Sequence, residues 1–206
     1  MKLKLVLGTC VIVATAAAAG ATLFAQEKGK AAPAPTKEQA AMEAAMKSFA
    51  TPGPSHQVLQ QKAGKWNLAV KMFMPGAPAA MESKATSEMK MIMDGRYLQD
   101  ATEGTFMEQP FHGQGLSGYD NLKKKYVGTW IDNMGTGIMT MEGTYDAATK
   151  TFTYSNEMPD ATMSKYVKGR STETWTDNDH FTMKSYTPGP DGKEYMCMQL
   201  DYARAK

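Results

Sequence analysis

From Gly64 onward the chain alternates. Trp66, Leu68, Val70, Met72 and Met74 occupy one side of a period-two pattern, and Lys65, Asn67, Ala69 and Lys71 the other. That is the signature of a strand with one buried face. Ala85, Ser87, Met89, Met91 and Met93 repeat it before an Asp94-Gly95 turn, and Met139, Met141 and Tyr145 repeat it again. The last run sets Met196, Met198, Leu200 and Tyr202 against Tyr195, Cys197, Gln199 and Asp201. Turn signals separate the runs at Asp120-Asn121, Asp132-Asn133, Asp146 to Lys150, Asp177 to Asp179 and Pro188 to Gly192. The spacing predicts about ten strands between residues 64 and 203, with no helical-period segment among them.

Many consecutive strands joined by tight turns imply an antiparallel meander. A meander of this length exposes two edges unless it closes, and closure into an up-and-down β-barrel removes them. The predicted fold is therefore an all-β, antiparallel up-and-down barrel of about ten strands, with a sandwich as the alternative. A lumen of that size is either filled by side chains or holds one small ligand.

Ahead of the strands the pattern changes twice. Residues 1–26 read as a secretory signal, with a Met1-Lys2-Leu3-Lys4 start, an apolar run and small residues near Ala25. Leu5 to Ala25 carries no charge, so a retained membrane anchor is the other reading of this stretch. Cleavage would leave no stable membrane span and an exported protein, periplasmic or secreted. Residues 27–54 form an Ala/Pro-rich linker holding a helix over Lys37 to Phe49, started by a Thr36/Gln39 capping box. Met42, Met46 and Phe49 give that helix one narrow apolar stripe, and Pro52-Gly53-Pro54 ends it. Ser55 is placed to cap a second short helix reaching Lys62, and residues 55–206 form the barrel domain.

Composition narrows the function classes. Of 23 Lys and Arg, two lie in the leader, which leaves 21 basic against 21 acidic side chains. A chain without net charge lacks the basic field of a sequence-independent nucleic-acid binder. No Walker, Rossmann, zinc-finger or zincin spacing occurs. Once Cys10 leaves with the leader, Cys197 is the remaining cysteine, so the barrel is held without an intrachain disulfide.

Gly64-Lys65-Trp66 follows the short helix and resembles the Gly-x-Trp motif that opens the first strand of lipocalins and their calycin relatives. The resemblance implies that Trp66 closes the barrel floor beneath an arginine from near the chain end, and Arg204 stands where that partner belongs. A second resemblance runs through the centre of the chain. Gly118-Tyr119-Asp120-Asn121, Trp130 through Gly137 and Glu142-Gly143-Thr144-Tyr145-Asp146 are similar to the core of a bacterial family known as domain of unknown function 1579. Gly95-Arg96-Tyr97-Leu98 and Asp201-Tyr202-Ala203-Arg204 extend it over roughly residues 56–205. That family implies a fold and no activity.

The methionines are the unusual feature. Seventeen follow the leader, where Leu, Ile, Val and Phe together number only nineteen. Met and the twelve Tyr and Trp must therefore supply much of the buried surface. Pairs at i and i+2 share a strand face, which directs Met72, Met89, Met91, Met139, Met141, Met196 and Met198 into the lumen. Three uses are open: simple filling of a structural or interaction barrel, a soft wall for a small apolar or amphipathic molecule, or a thioether site for copper with Cys197 nearby. Period two turns Cys197 away from Met196 and Met198.

Chemistry of other kinds finds little support, so an enzyme is not expected. His56, His112 and His180 make no metal-ligand spacing, and a haem-binding barrel of the nitrobindin kind would need His112 or His180 to point inward. Most acids fall in turns, and Ser117 lacks a Gly-x-Ser-x-Gly elbow. Neither haem nor any other cofactor is called for. From Tyr97 to Asp132 neither face is cleanly apolar, which makes Gln99, His112, Gln114, Tyr119 and Tyr126 candidates for inward polarity. The reading that follows is a barrel binding a small apolar or amphipathic ligand in a Met-rich lumen.

Overall fold

The computed structural model of the protein describes residues 34–160 and 162–206; the leader read over residues 1–26 and the start of the 27–54 segment lie outside the described residues. Two helices, α1 (Lys37–Ala50) and α2 (Pro54–Gln60), precede ten strands. These are β1 (Gly64–Met72), β2 (Met81–Ile92), β3 (Tyr97–Phe106), β4 (Gln109–Asp120), β5 (Lys125–Asp132), β6 (Met139–Asp146), β7 (Thr151–Pro159), β8 (Tyr166–Trp175), β9 (His180–Pro188) and β10 (Glu194–Arg204). Each strand pairs antiparallel with the next, and β1 pairs with β10, so the meander closes into a ten-strand barrel. The closing rungs run from Trp66 opposite Arg204 to Met72 opposite Met198.

Closure divides every strand into an inner and an outer face. On β1 the inner set is Trp66, Leu68, Val70 and Met72; opposite them on β2 stand Ser87, Ala85, Ser83 and Met81. Met74 and Met93, expected at the ends of these faces, fall beyond the strands and are exposed. Most turns sit where Asp, Asn and Gly mark them. The β3–β4 hairpin is different: Met107 and Glu108 take φ of 48° and 65° without a glycine.

One end of the barrel is a solid plug. Trp66, Phe152, Phe181 and Leu59 are its largest fully buried side chains. Trp66 meets Phe181 edge-on at 4.9 Å and Trp175 at 5.9 Å, and Phe181 stacks on Tyr202 at 4.1 Å. Such pairs add to the area they bury. From below, α2 inserts Leu59, and Tyr126 donates its hydroxyl to the Ser55 carbonyl at 3.2 Å. The helix begins two residues earlier than Ser55 capping implies: Gly53 is the N-cap, Pro54 opens the first turn, and the Gly53 N–H donates to His56 Nδ1 at 3.0 Å. Desolvation lowers the His56 pKa, with Arg96 acting in the same direction and a hydrogen bond to the Tyr119 backbone opposing them. A neutral imidazole suits the acceptor role.

Arg204 closes the plug. Its guanidinium lies 4.2 Å from the Trp66 ring centroid and donates to the carbonyls of Ala63 at 2.9 Å and Gln61 at 3.1 Å, and to Asp179 at 3.0 Å. Gly64 has φ +136°, and a Cβ there would sit 2.5 Å from the Arg204 guanidinium, so both backbone and space demand glycine. At the same end Asn121 donates its amide to the carbonyls of Ser48, Phe49 and Thr51, tying down the C-terminus of an otherwise exposed α1.

Trp66→Ala is expected to cost about 3–5 kcal/mol and Arg204→Ala about 1–3 kcal/mol. Arg204→Lys should recover little, since an ammonium cannot reproduce the planar fork over the ring. Urea denaturation of the three variants checks the order.

Candidate functional site

Burial on the inner face is uneven along the barrel axis. Around the plug the inward side chains are buried. From mid-height to the far mouth, Val70, Met72, Met139, Met141, Met158, Met183, Met198 and Leu200 all face inward and are only partly buried. Val70, Met141, Met183 and Leu200 pack against the buried cluster, so the least packed inner side chains are those toward the mouth, Met72, Met139, Met158 and Met198.

Glycines help keep the axis clear. A Cβ on Gly115 would lie 3.3 Å from the Trp130 ring, one on Gly128 would lie 3.2 Å from Met141, and one on Gly169 would lie 2.8 Å from Asn156 Oδ1. Gly113 faces the same Trp130 ring. At each of these positions a neighbouring side chain lies flat against the wall, over a strand with no side chain of its own. Trp130 is held there by Nε1–H donating to Asp132 at 2.9 Å.

The sequence candidates separate into three groups. Met72, Met139 and Met198 line the partly buried wall toward the mouth, whereas Met141 packs against the buried cluster. Met89, Met91, Tyr119 and Tyr126 belong to the plug or pack against it, with Tyr119 edge-on to His56 at 5.8 Å. Met196 departs from its expected face. A register shift between Met196 and Met198 breaks the period-two relation. Met196 then pairs with Tyr186, whose ring carries the Arg170 guanidinium at 3.8 Å. Cys197 sits within this irregularity, its thiol donating to the Ser185 carbonyl at 3.4 Å, and burial pushes its pKa up.

The expected inward polarity of Gln99, His112 and Gln114 is corrected. Leu98 and Asp100 face in on β3, and Ser117, Gly115 and Gly113 face in on β4, which turns those three outward. His180 is also on the outer face, 2.9 Å from Asp177, so neither His112 nor His180 reaches the lumen.

The polar groups that do face inward are others. Asp100 Oδ1 accepts hydrogen bonds from Ser87 at 2.6 Å and Thr102 at 3.0 Å. Glu173 faces in from β8 and accepts from Lys62 at 2.6 Å, in a pair whose side chains are only 7% and 13% exposed. The Lys62 ammonium enters from the α2–β1 connection, 5.6 Å from the Phe152 and Phe181 ring centroids. Asn156 Oδ1 and Thr187 Oγ1 are buried on the inner wall with no hydrogen-bond partner. Desolvation raises the Asp100 pKa; hydrogen bonds from Ser87 and Thr102 and the charge of Lys62 oppose it, while Glu173 adds to it. Burial also raises the hydroxyl pKa of Tyr154 and Tyr202, with nearby carboxylates adding to the effect.

The outer wall carries two hollows of about 360 and 470 Å³ beside Asn67. The first is bordered by Ala69, Thr182 and Asp201, the second by Lys84, Thr86 and Glu103. Neither gathers a constellation suited to chemistry.

A raised carboxyl pKa has a definite stability consequence. Between the ordinary Asp value and the raised one the folded chain binds more protons than the unfolded chain, so stability falls as pH rises through that window. Asp100→Asn keeps an acceptor for Ser87 and Thr102 and removes the buried charge. It is expected to melt above the wild type at neutral pH, with the gap closing as pH falls. Thermal melts of both proteins across the acidic range check this.

Comparison with known proteins agrees with the architecture. The profile of a family described as "Protein of unknown function (DUF1579)" matches residues 51–204, and the chain belongs to that family. Among curated proteins none matches. The crystal structure of Rv2717c from M. tuberculosis is similar at a TM-score of 0.56 and 10% identity, over 76% of this chain and 100% of that one, a likeness of fold alone. A de novo designed fluorescence-activating β-barrel is similar at a TM-score of 0.40 and 14% identity, over 71% of this chain and 95% of that one.

Proposed function

We propose that this barrel binds a small apolar or amphipathic molecule noncovalently in its lumen. One observation carries the reading: inward-facing Met and aliphatic side chains above a solid plug are only half-buried, although the wall around them is closed. Flexible thioethers make an adaptable apolar surface. The unpartnered Asn156 and Thr187 oxygens offer acceptors among them. Largely apolar walls with a few placed polar groups are the usual composition of a small-molecule site. The exported location read from the leader is part of the same proposal, placing the binder outside the cytoplasm.

The competing description is a barrel with a filled core, and Leu200→Trp separates the two. Leu200 faces inward at mid-height between Met183 and Val70. In an open lumen the indole is accommodated with little loss of stability, and binding of neutral Nile red, followed by fluorescence, is abolished. In a filled core the same change costs about 1–3 kcal/mol through overpacking, and Nile red shows no saturable binding to the wild type.

A second reading rests on a different observation. Met81, Met72 and Met198 are cross-strand partners in sequence across β2, β1 and β10, which sets three thioethers side by side on the inner wall. Such a set suits a soft monovalent ion such as Cu(I), and it uses neither Met196 nor Cys197. Titration of the apo protein with Ag(I), read by mass spectrometry, should show one ion bound and its loss in Met72→Leu. Unchanged uptake by that variant removes this reading.

A further inference from the structure

The interior has a sign. By register, the charged side chains that the ten strands turn inward are Asp100, Asp132, Glu173 and, at the floor opposite Trp66, Arg204, whose guanidinium is committed to the Trp66 ring, the Ala63 and Gln61 carbonyls and Asp179. The other cation that reaches the interior is Lys62, from below, and it is committed to Glu173 at 2.6 Å. Asp132 stands at the other end of β5, occupied by Trp130 Nε1 at 2.9 Å and the Met134 N–H at 2.9 Å. Asp100 is the carboxylate left over.

Its surroundings define what it lacks. Both hydrogen bonds to Asp100 go to Oδ1 and come from neutral hydroxyls, and no donor reaches Oδ2 among the described residues. Beside it lies Gly115, where a Cβ would be 3.3 Å from both Asp100 Cβ and the Trp130 ring. The carboxylate therefore shares a glycine-floored niche with an indole face. Across the lumen stand Tyr202 and the Lys62–Glu173 pair, whose fields act on Asp100 or are acted on by it. A half-buried carboxylate with one oxygen unfilled, next to an aromatic face and without a counter-ion, is complementary to an organic cation. An anionic head group would meet net negative charge and no guanidinium or ammonium free to receive it.

We propose that the lumen ligand is an amphiphile with a protonated amine or ammonium head, whose head contacts Asp100 Oδ2 and the Trp130 face while its apolar body lies along the methionine wall toward the mouth. This rests on the lumen-binding reading above and specifies its ligand class. It assigns Asp100 the role of head-group anchor, with Ser87 and Thr102 orienting the carboxylate.

Three probes with one apolar body and different heads test it: decylammonium, decanol and decanoate, each titrated calorimetrically into the full chain at neutral pH and physiological salt. The expected order is decylammonium tightest, by about tenfold over decanol, and decanoate weakest. Asp100→Asn should abolish the preference for decylammonium over decanol. Equal binding of all three by the wild type overturns the assignment without any variant, as does tighter binding of decanoate. A preference that survives Asp100→Asn removes Asp100 as the anchor. Failure of all three, uncharged decanol included, overturns the lumen-binding reading itself, an outcome distinct from loss of charge preference.

Discussion

The meeting of β1 with β10 is the constraint from which the rest of this structure follows. A ten-strand meander left open would present two unpaired edges to solvent. The seven rungs from Trp66–Arg204 to Met72–Met198 remove both. Once the wall is closed, period two leaves each side chain only two destinations, and an inward residue must either pack, bind or stay wet. The same rungs set the two ends apart. At one, Arg204 is delivered to the Trp66 ring and to the carbonyls that end α2. At the other, Met198 is set beside Met72.

That polarity of the barrel explains how so few aliphatic residues suffice. The buried aromatic side chains collect in the plug, where edge-on and stacked contacts among Trp66, Trp175, Phe181 and Tyr202 fill one cross-section. With one end solid and α2 beneath it, the upper wall does not have to be packed for the chain to fold. Met141, Trp130 and Asn156 lie against glycine-bearing strands, where a side chain on the glycine would collide with them. The least packed inner side chains, Met72, Met139, Met158 and Met198, are those toward the other end.

Much of this was legible because closure and alternation are properties of the whole pattern. The ten strands, their antiparallel order and the inward direction of Trp66, Leu68, Val70 and Met72 follow from periodicity plus turn chemistry. The inner polar residues were harder to see for two local reasons. The β3–β4 hairpin turns through Met107 and Glu108, both at positive φ, where sequence habit expects glycine or asparagine. Without that turn marked, the faces of the mixed Tyr97–Asp132 stretch had no anchor, and Gln99, His112 and Gln114 read as inward in place of Asp100. The irregularity between Met196 and Met198 likewise carries no glycine or proline to announce it. Lys62 and Glu173, 111 positions apart, meet through tertiary geometry that no spacing encodes.

Glu173 and Asp100, two of the inner acids, show how packing and binding demands diverge within one lumen. Glu173 sits against the plug, where a charge is tolerable only with a partner, and Lys62 supplies it at 2.6 Å. Asp100 has only hydroxyl partners, its pKa is raised, and its second oxygen has no donor among the described residues. Stability alone would favour an amide or an apolar side chain there, because an ionised carboxylate without a counter-ion is destabilising in proportion to its burial. A fold that neutralises one inner acid and leaves its neighbour open has the means to neutralise both. The position left open is the one beside the Trp130 face and below the half-buried methionines, on the line that a ligand entering from the mouth would take.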